Sequence, residues 1–230
     1  MAKVRDREAR PSMANEQISR RPLTTRDTEW AKNTARWLGS IGLRPNAISI
    51  LSIGCACLAG AAFIGAGLTA GLARAGLFLA AALGIQLRLL CNLFDGMVAV
   101  EGGFKTKSGE VYNELPDRFS DAVILVSGAY AAPGSEGLHA LGWLAAVLSV
   151  ITAYVRALGA SAGTSQHFVG PMAKPQRMAL LTVLCVVMAV LTAVGRPLNL
   201  VHPALALISV GCLLTIARRT RLVVHELESE

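Results

Sequence analysis

Three carboxylates, Asp95, Asp117 and Asp121, stand at the edges of segments apolar enough to sit in lipid. Charge is costly there, and an ionisable residue bordering such a segment marks a functional site by default. Asp95 belongs to RLLCNLFDGMVAV (88–100), where Arg88, Asn92, Asp95 and Ala99 fall at i, i+4, i+7 and i+11, one face of a helix. Asn113, Asp117 and Asp121 follow at intervals of four, again on one face. Two consecutive helices joined by a loop can bring these faces together. Three carboxylates at close range repel one another and take up protons. A divalent cation relieves the conflict, because carboxylate oxygens are the hard ligands that Mg²⁺ and Mn²⁺ prefer. Such a site, with open positions for phosphate oxygens, suits phosphoryl transfer. The plainer alternative is that the aspartates cap helices or pair with Arg88 and Arg118.

The elements that must position these residues are membrane helices. The 230-residue chain is 53% hydrophobic and 16% charged, against roughly 25% charged in a soluble domain. Its charges cluster before residue 46, between 101 and 121, around 156–177 and after 217. The stretches between them approach the ~20 residues that cross a bilayer. The expected fold is an all-α integral membrane protein with six transmembrane helices, near 46–69, 76–98, 116–133, 138–160, 176–195 and 199–217. The alternating patterns of a barrel are missing, and 22 glycines with abundant alanine suit close helix packing in lipid.

Residues 1–25 are polar and read as a flexible cytoplasmic tail. Over 26–43, Trp30, Thr34, Trp37, Leu38 and Ile41 recur at helical spacing, which predicts an amphipathic interfacial helix with its tryptophans at the headgroups. Pro45 then opens the membrane domain, 44–218, and 219–230 is expected as a cytoplasmic tail. No secretory signal peptide is visible, since the leading segment is basic rather than apolar. Its lysines and arginines, with Arg218, Arg219 and Arg221 after the last span, place both termini and the acidic site on the cytoplasmic side of the inner membrane. The net charge of +7 reads as orientation and contact with anionic lipid rather than nucleic-acid binding. Cysteines 55, 57, 91, 185 and 212 all lie in spans and serve as small apolar residues. GASAG (159–163) has the form of a hydrolase elbow but ends a membrane helix, outside the strand–turn–helix context that motif needs.

On these residues the chain resembles the CDP-alcohol phosphatidyltransferase family, whose signature is D-x-x-D-G-x-x-A-R, eight or nine residues, then G-x-x-x-D-x-x-x-D. Asp95-Gly96, Ala99, Asp117 and Asp121 match it, and the amphipathic leader, PNAIS (45–49) and six spans are similar to the family as well. Three departures stand out. Asn92 takes the place of the first Asp, Val100 that of the Arg, and twelve residues, 101–112, precede Asn113 at the Gly position. The resemblance implies transfer of a phosphatidyl or related group from a CDP-activated lipid, such as CDP-diacylglycerol, to a small alcohol or phosphorylated alcohol, with release of CMP. It implies one or two Mg²⁺ or Mn²⁺ ions held by Asp95, Asp117 and Asp121, with Asn92 a weaker ligand, and Asp121 as the catalytic base. Gly96 and Ala99 would make room for the nucleotide. Arg88, one turn before Asn92, would set its charge where the metal's second charge is missing or over the diphosphate; the alternative is that it pairs with Asp95 or reaches an adjacent polar cavity. A homodimer is the usual assembly.

On the acceptor side, Arg156, Lys174 and Arg177 lie at the cytoplasmic ends of neighbouring spans. Arg forks and Lys point charges bind phosphate, and the resemblance places an acceptor-phosphate pocket here; the alternative is positive-inside anchoring. The loop EGGFKTKSGEVY (101–112) either folds over a nucleotide with Lys105 and Lys107 or is a basic loop on the anionic leaflet. Two further functions remain open: a degenerate member that binds CDP-lipid or acts as an assembly partner, and a small transporter. No internal repeat or broken span supports the last.

Overall fold

The computed structural model describes residues 26, 28–104, 108–132 and 136–229. The expected tail at 1–25 and the loop lysines Lys105 and Lys107 lie outside the described residues. Among the described residues seven α-helices follow in order: α1 (Glu29–Ser40), α2 (Pro45–Leu68), α3 (Gly71–Glu101), α4 (Gly109–Ala129), α5 (Ala140–Ser161), α6 (Lys174–Ala193) and α7 (Val201–Ser229). Among the described residues there is no strand. Five helices, α2, α3, α5, α6 and α7, are long and apolar enough to cross a membrane.

Helix α4 is the exception, and its sequence says why. It carries Glu110, Glu114, Asp117, Arg118 and Asp121 in its first thirteen residues, and only its last two turns are apolar. It nevertheless packs inside the bundle between α2 and α5, with Ile124, Leu125 and Ala129 fully buried. The sequence places its start near Pro116, in a first turn that tolerates proline. The helix in fact begins at Gly109, so Pro116 lies within it. Proline there removes one i→i−4 bond, that to the carbonyl of Tyr112, whose side chain is exposed. The extra turns place Asn113 on the same helix face as Asp117.

Pro45 opens α2 and Pro175 falls in the first turn of α6, positions whose N–H has no intrahelical partner in any case. Gly42 ends the α1 connection with φ +81°, a left-handed conformation that glycine adopts without a Cβ penalty. Helix α1 rests Ala31 and Ala35 on Leu93, Phe94, Met97 and Val98, all on α3. Its tryptophans, Trp30 and Trp37, stay about half exposed at 50% and 59%. At the other end of the chain, α7 remains helical to Ser229 where a tail was expected from 219. Glu226 gives that extension a reason: it accepts bonds from the Ser165 amide at 2.7 Å and the Ser165 hydroxyl at 3.0 Å, and lies 2.7 Å from His167 Nε2.

The core is a continuous set of small and branched side chains, with Phe63, Phe78, Ile85, Met178, Leu181, Leu205 and Ile208 at its centre. Leucines and valines also cover much of the outer surface, as for helices solvated by lipid. Helices α2 and α3 approach closely at Gly84, where an added Cβ would stand 2.9 Å from the Ala59 Cβ and 3.0 Å from its backbone nitrogen. Backbone cannot yield as a side-chain tip can. Gly84→Val should therefore cost about 1–3 kcal/mol, the usual range for overpacking. Denaturant unfolding of the variant in detergent would check this; an unchanged midpoint would mean that the helix contact is loose.

Candidate active site

The site forms at one end of the bundle, where α3 finishes and α4 and α6 begin. The start of α2 and the end of α5 complete its walls. A cavity of about 540 Å³ opens there, lined among others by Ser49, Asn92, Asp95, Gly96, Asn113, Asp117, Arg156 and Lys174. Helical phase delivers these groups: the α3 face 88/92/95/99 meets the α4 face 113/117/121 as the sequence spacing predicts. Asn92 Nδ2 lies 3.4 Å from Asn113 Oδ1 and donates to Asp117 Oδ1 at 2.9 Å.

Asp117 is the hub. Arg88 Nη2 donates to its Oδ1 at 2.9 Å, and the Lys174 ammonium is in contact with Oδ2. Lys174 also donates to Asn92 Oδ1 at 2.6 Å, so one ammonium bridges α3 and α4 from the first residue of α6. Asp95, on the cavity wall, accepts from the Ser49 hydroxyl at 2.7 Å and from the amide of Gly96. Gly96 lines the cavity. Among the described residues, a Cβ placed on it would meet Arg26 Nη2 at 3.8 Å.

Asp121 lies elsewhere. It is 1% exposed, one turn deeper than Asp117, and does not line the cavity. Arg88 Nη2 contacts its Oδ1 and Arg177 Nη2 its Oδ2, each at 2.8 Å. Arg88, fully buried, therefore sits beneath the carboxylates, on Asp117 and Asp121, rather than over a diphosphate or on Asp95. Arg177 borders the cavity, but its guanidinium is spent on Asp121 and on the Met172 carbonyl at 2.9 Å. Of the three cations expected around an acceptor phosphate, Arg156 is set apart. It reaches Glu114 and Gln166, each at 2.7 Å, and its guanidinium lies 5.2 Å from the Phe168 ring centroid. The Glu226 contacts on Ser165 and His167 hold the loop that carries Gln166 and Phe168.

Asn113 is the site residue whose role the sequence spacing obscured. Counting from Val100, Gly109 follows after eight residues, with Asn113 and Asp117 at the next two fourfold steps. In this register the family signature needs no insertion: its four aspartate positions hold Asn92, Asp95, Asn113 and Asp117. The eight-residue spacing to Gly109 was the available signal. The match of two true aspartates, Asp117 and Asp121, masked it.

These residues do not fit the divalent-ion centre that the resemblance implies. Two of the four aspartate positions are neutral amides. Both oxygens of Asp117 already face cations, as do those of Asp121. Around the cavity and just beneath it, Asp95, Glu114, Asp117 and Asp121 are accompanied by Arg88, Arg118, Arg156, Lys174 and Arg177. A dication needs surplus negative charge, and this set has none. Among the described residues no three His, Cys, Asp or Glu side chains converge as a metal-binding group.

The fold is similar to that of solved phosphatidylinositol phosphate synthase structures. Among the solved structures it resembles are those of PgsA1 from Mycobacterium tuberculosis. With the form carrying bound CDP-DAG, the chain aligns at a TM-score of 0.66 and 20% identity, over 85% of this chain and 94% of that one. With the form in complex with manganese and citrate, the TM-score is 0.64 at 22% identity, over 84% and 88% of the two chains. No protein-family model matches the sequence, and no curated protein matches it.

Proposed function

We propose that the chain is a membrane enzyme of phospholipid synthesis, which transfers a phosphatidyl or related group from a CDP-linked lipid to an alcohol and releases CMP. The observation that supports this best is the gathering of Asn92, Asp95, Gly96, Ala99, Asn113 and Asp117 around one cavity, at the signature positions, on the fold of a synthase solved with CDP-DAG. In this reading α4 is the sixth membrane helix and residues 26–43 lie in the interface. The domain 44–218 works as a homodimer in the inner membrane, its cavity and both chain termini facing the cytoplasm.

The nucleotide lies against Gly96 and Ala99, where missing or small side chains leave room. The acceptor hydroxyl oxygen attacks the β-phosphorus of the CDP-lipid. The bond from that phosphorus to the oxygen bridging it to the α-phosphorus breaks, and CMP leaves with the electron pair. Asp117 takes the hydroxyl proton. It replaces Asp121 in this role, because Asp121 is closed between Arg88 and Arg177 and cannot meet a substrate without breaking a buried ion pair. Arg156, with Gln166 and Glu114 beside it, orients the polar end of the acceptor.

A second reading keeps the cavity without turnover: a CDP-lipid binder, favoured by the ammonium that already covers Asp117. Turnover separates the two. Purified protein in nanodiscs is given CDP-diacylglycerol with inositol phosphate, glycerol phosphate or the free alcohols, and CMP and new lipid are followed. CMP release that depends on one acceptor supports the transferase. Thermal stabilisation by CDP-diacylglycerol without CMP favours the binder. Gly96→Leu tests the nucleotide wall: filling that space should weaken CDP-diacylglycerol binding about 10–100-fold, the equivalent of an overpacking penalty. Unchanged affinity would move the nucleotide elsewhere.

A further inference from the structure

The carboxylates and amides at the signature positions raise a question of charge. Four aspartates would hold a dication pair at neutrality. Here Asn92 and Asn113 remove two of those negative charges, and the Lys174 ammonium stands between Asn92 Oδ1, at 2.6 Å, and the carboxylate of Asp117. It is the first residue of α6, locked in position by Pro175 after it and by Arg177 one turn on, which is anchored to Asp121. Beneath it, Arg88 holds Asp117 and Asp121 together from the opposite side, with contacts of 2.9 and 2.8 Å. Two buried carboxylates thus face three cations, so neither is buried unpaired.

We infer that Lys174 is a built-in cation in the place of a metal ion, and that the site binds the diphosphate of its CDP-lipid with side-chain cations alone. The inference rests on the proposed CDP-lipid function and specifies how its donor is held. Lysine suits the task. Its ammonium is a compact point charge with three donors on a flexible four-carbon stem, and phosphate oxygens form strong charge-assisted bonds with it. Lys174 lines the cavity, so a short swing takes it from Asp117 Oδ2 to a ligand oxygen. That same swing uncovers Asp117, still oriented by Arg88 and Asn92, for the incoming hydroxyl. The cation leaves the carboxylate only when a phosphate takes its charge, which ties base exposure to donor binding. Asn92 fits this arrangement better than Asp would: its amide oxygen accepts from Lys174 while its NH₂ donates to Asp117, and an aspartate there would bring a second carboxylate against the first.

The test is Mn²⁺ binding, read by electron paramagnetic resonance on wild-type protein in nanodiscs, beside CDP-diacylglycerol affinity measured with Mn²⁺ and with EDTA. The expected result is a free-ion Mn²⁺ spectrum at micromolar Mn²⁺ and equal lipid affinity in both buffers. Lys174→Met should lower that affinity about tenfold or more, the usual effect of losing one bond to a charged group. The triple change Asn92→Asp, Asn113→Asp and Lys174→Met restores the four-carboxylate set and should gain Mn²⁺ binding. Stoichiometric Mn²⁺ uptake by the wild type, with CDP-diacylglycerol still bound, overturns the inference and leaves the transferase reading intact. No CDP-diacylglycerol binding in either buffer overturns the functional reading and the inference together. The wild-type spectra decide the matter even where a variant fails to fold.

Discussion

Asp117→Asn should lower CMP release by about 10²–10⁴-fold, the range a positioned general base contributes, while the protein stays folded. The substitution keeps the shape of the side chain, and Arg88 retains Asp121 as its carboxylate partner. The new amide cannot take a proton from an acceptor, and its NH₂ has no place beside the Lys174 ammonium. CDP-diacylglycerol affinity should hold or rise, because Lys174 is released from its carboxylate toward the diphosphate. The kinetic split is therefore informative: kcat falls while lipid affinity does not. Stopped CMP assays and equilibrium lipid binding on the same nanodisc preparation read both quantities. Loss of both together would mean that Asp117 holds the site's architecture and plays no part in proton transfer.

Asp121→Ala should act in the opposite domain, on stability. This carboxylate stands between two guanidiniums that are themselves sealed, Arg88 at 0% and Arg177 at 1% exposure. Removing it leaves two buried cations facing each other across the gap, one of them still partnered by Asp117. Breaking a buried pair from one side costs about 3–5 kcal/mol, a large share of the ~5–15 kcal/mol that holds a domain folded. The unfolding midpoint in detergent should drop accordingly. Asp121→Asn, which can still accept one hydrogen bond, should lose less. Residual folded Asp121→Ala protein that turns over at the wild-type rate per molecule would support the structural role; a stable but inactive variant would return the base assignment to Asp121.

Much of this arrangement was legible in the sequence. The two faces, 88/92/95/99 and 113/117/121, follow from helical periodicity, and both are where the site is built. Apolar runs located the five helices long and apolar enough to cross a membrane to within a few residues at most ends, because hydropathy is a local property. Three things were not local. Helix α4 starts before Pro116 rather than at it, since one lost backbone bond, to the Tyr112 carbonyl, is a small cost beside the packing of the helix. The extension of α7 to Ser229 depends on Glu226 meeting a loop some 60 residues earlier in the chain. Most consequential is the pairing of the charges. Sequence spacing shows which carboxylates share a face but not which cation reaches them, and Lys174 and Arg177 come from a helix more than 50 residues away. Without that contact the aspartates read as ligands waiting for metal. With it Asp117 and Asp121 are already partnered by cations.

The most direct test is CMP release from CDP-diacylglycerol by wild-type protein in nanodiscs, with the acceptor panel, in excess EDTA. The expected result is acceptor-dependent CMP release that survives the chelator and is matched by the appearance of one new phosphodiester lipid. Release that vanishes in EDTA and returns with Mn²⁺, or no release under any condition, would contradict it.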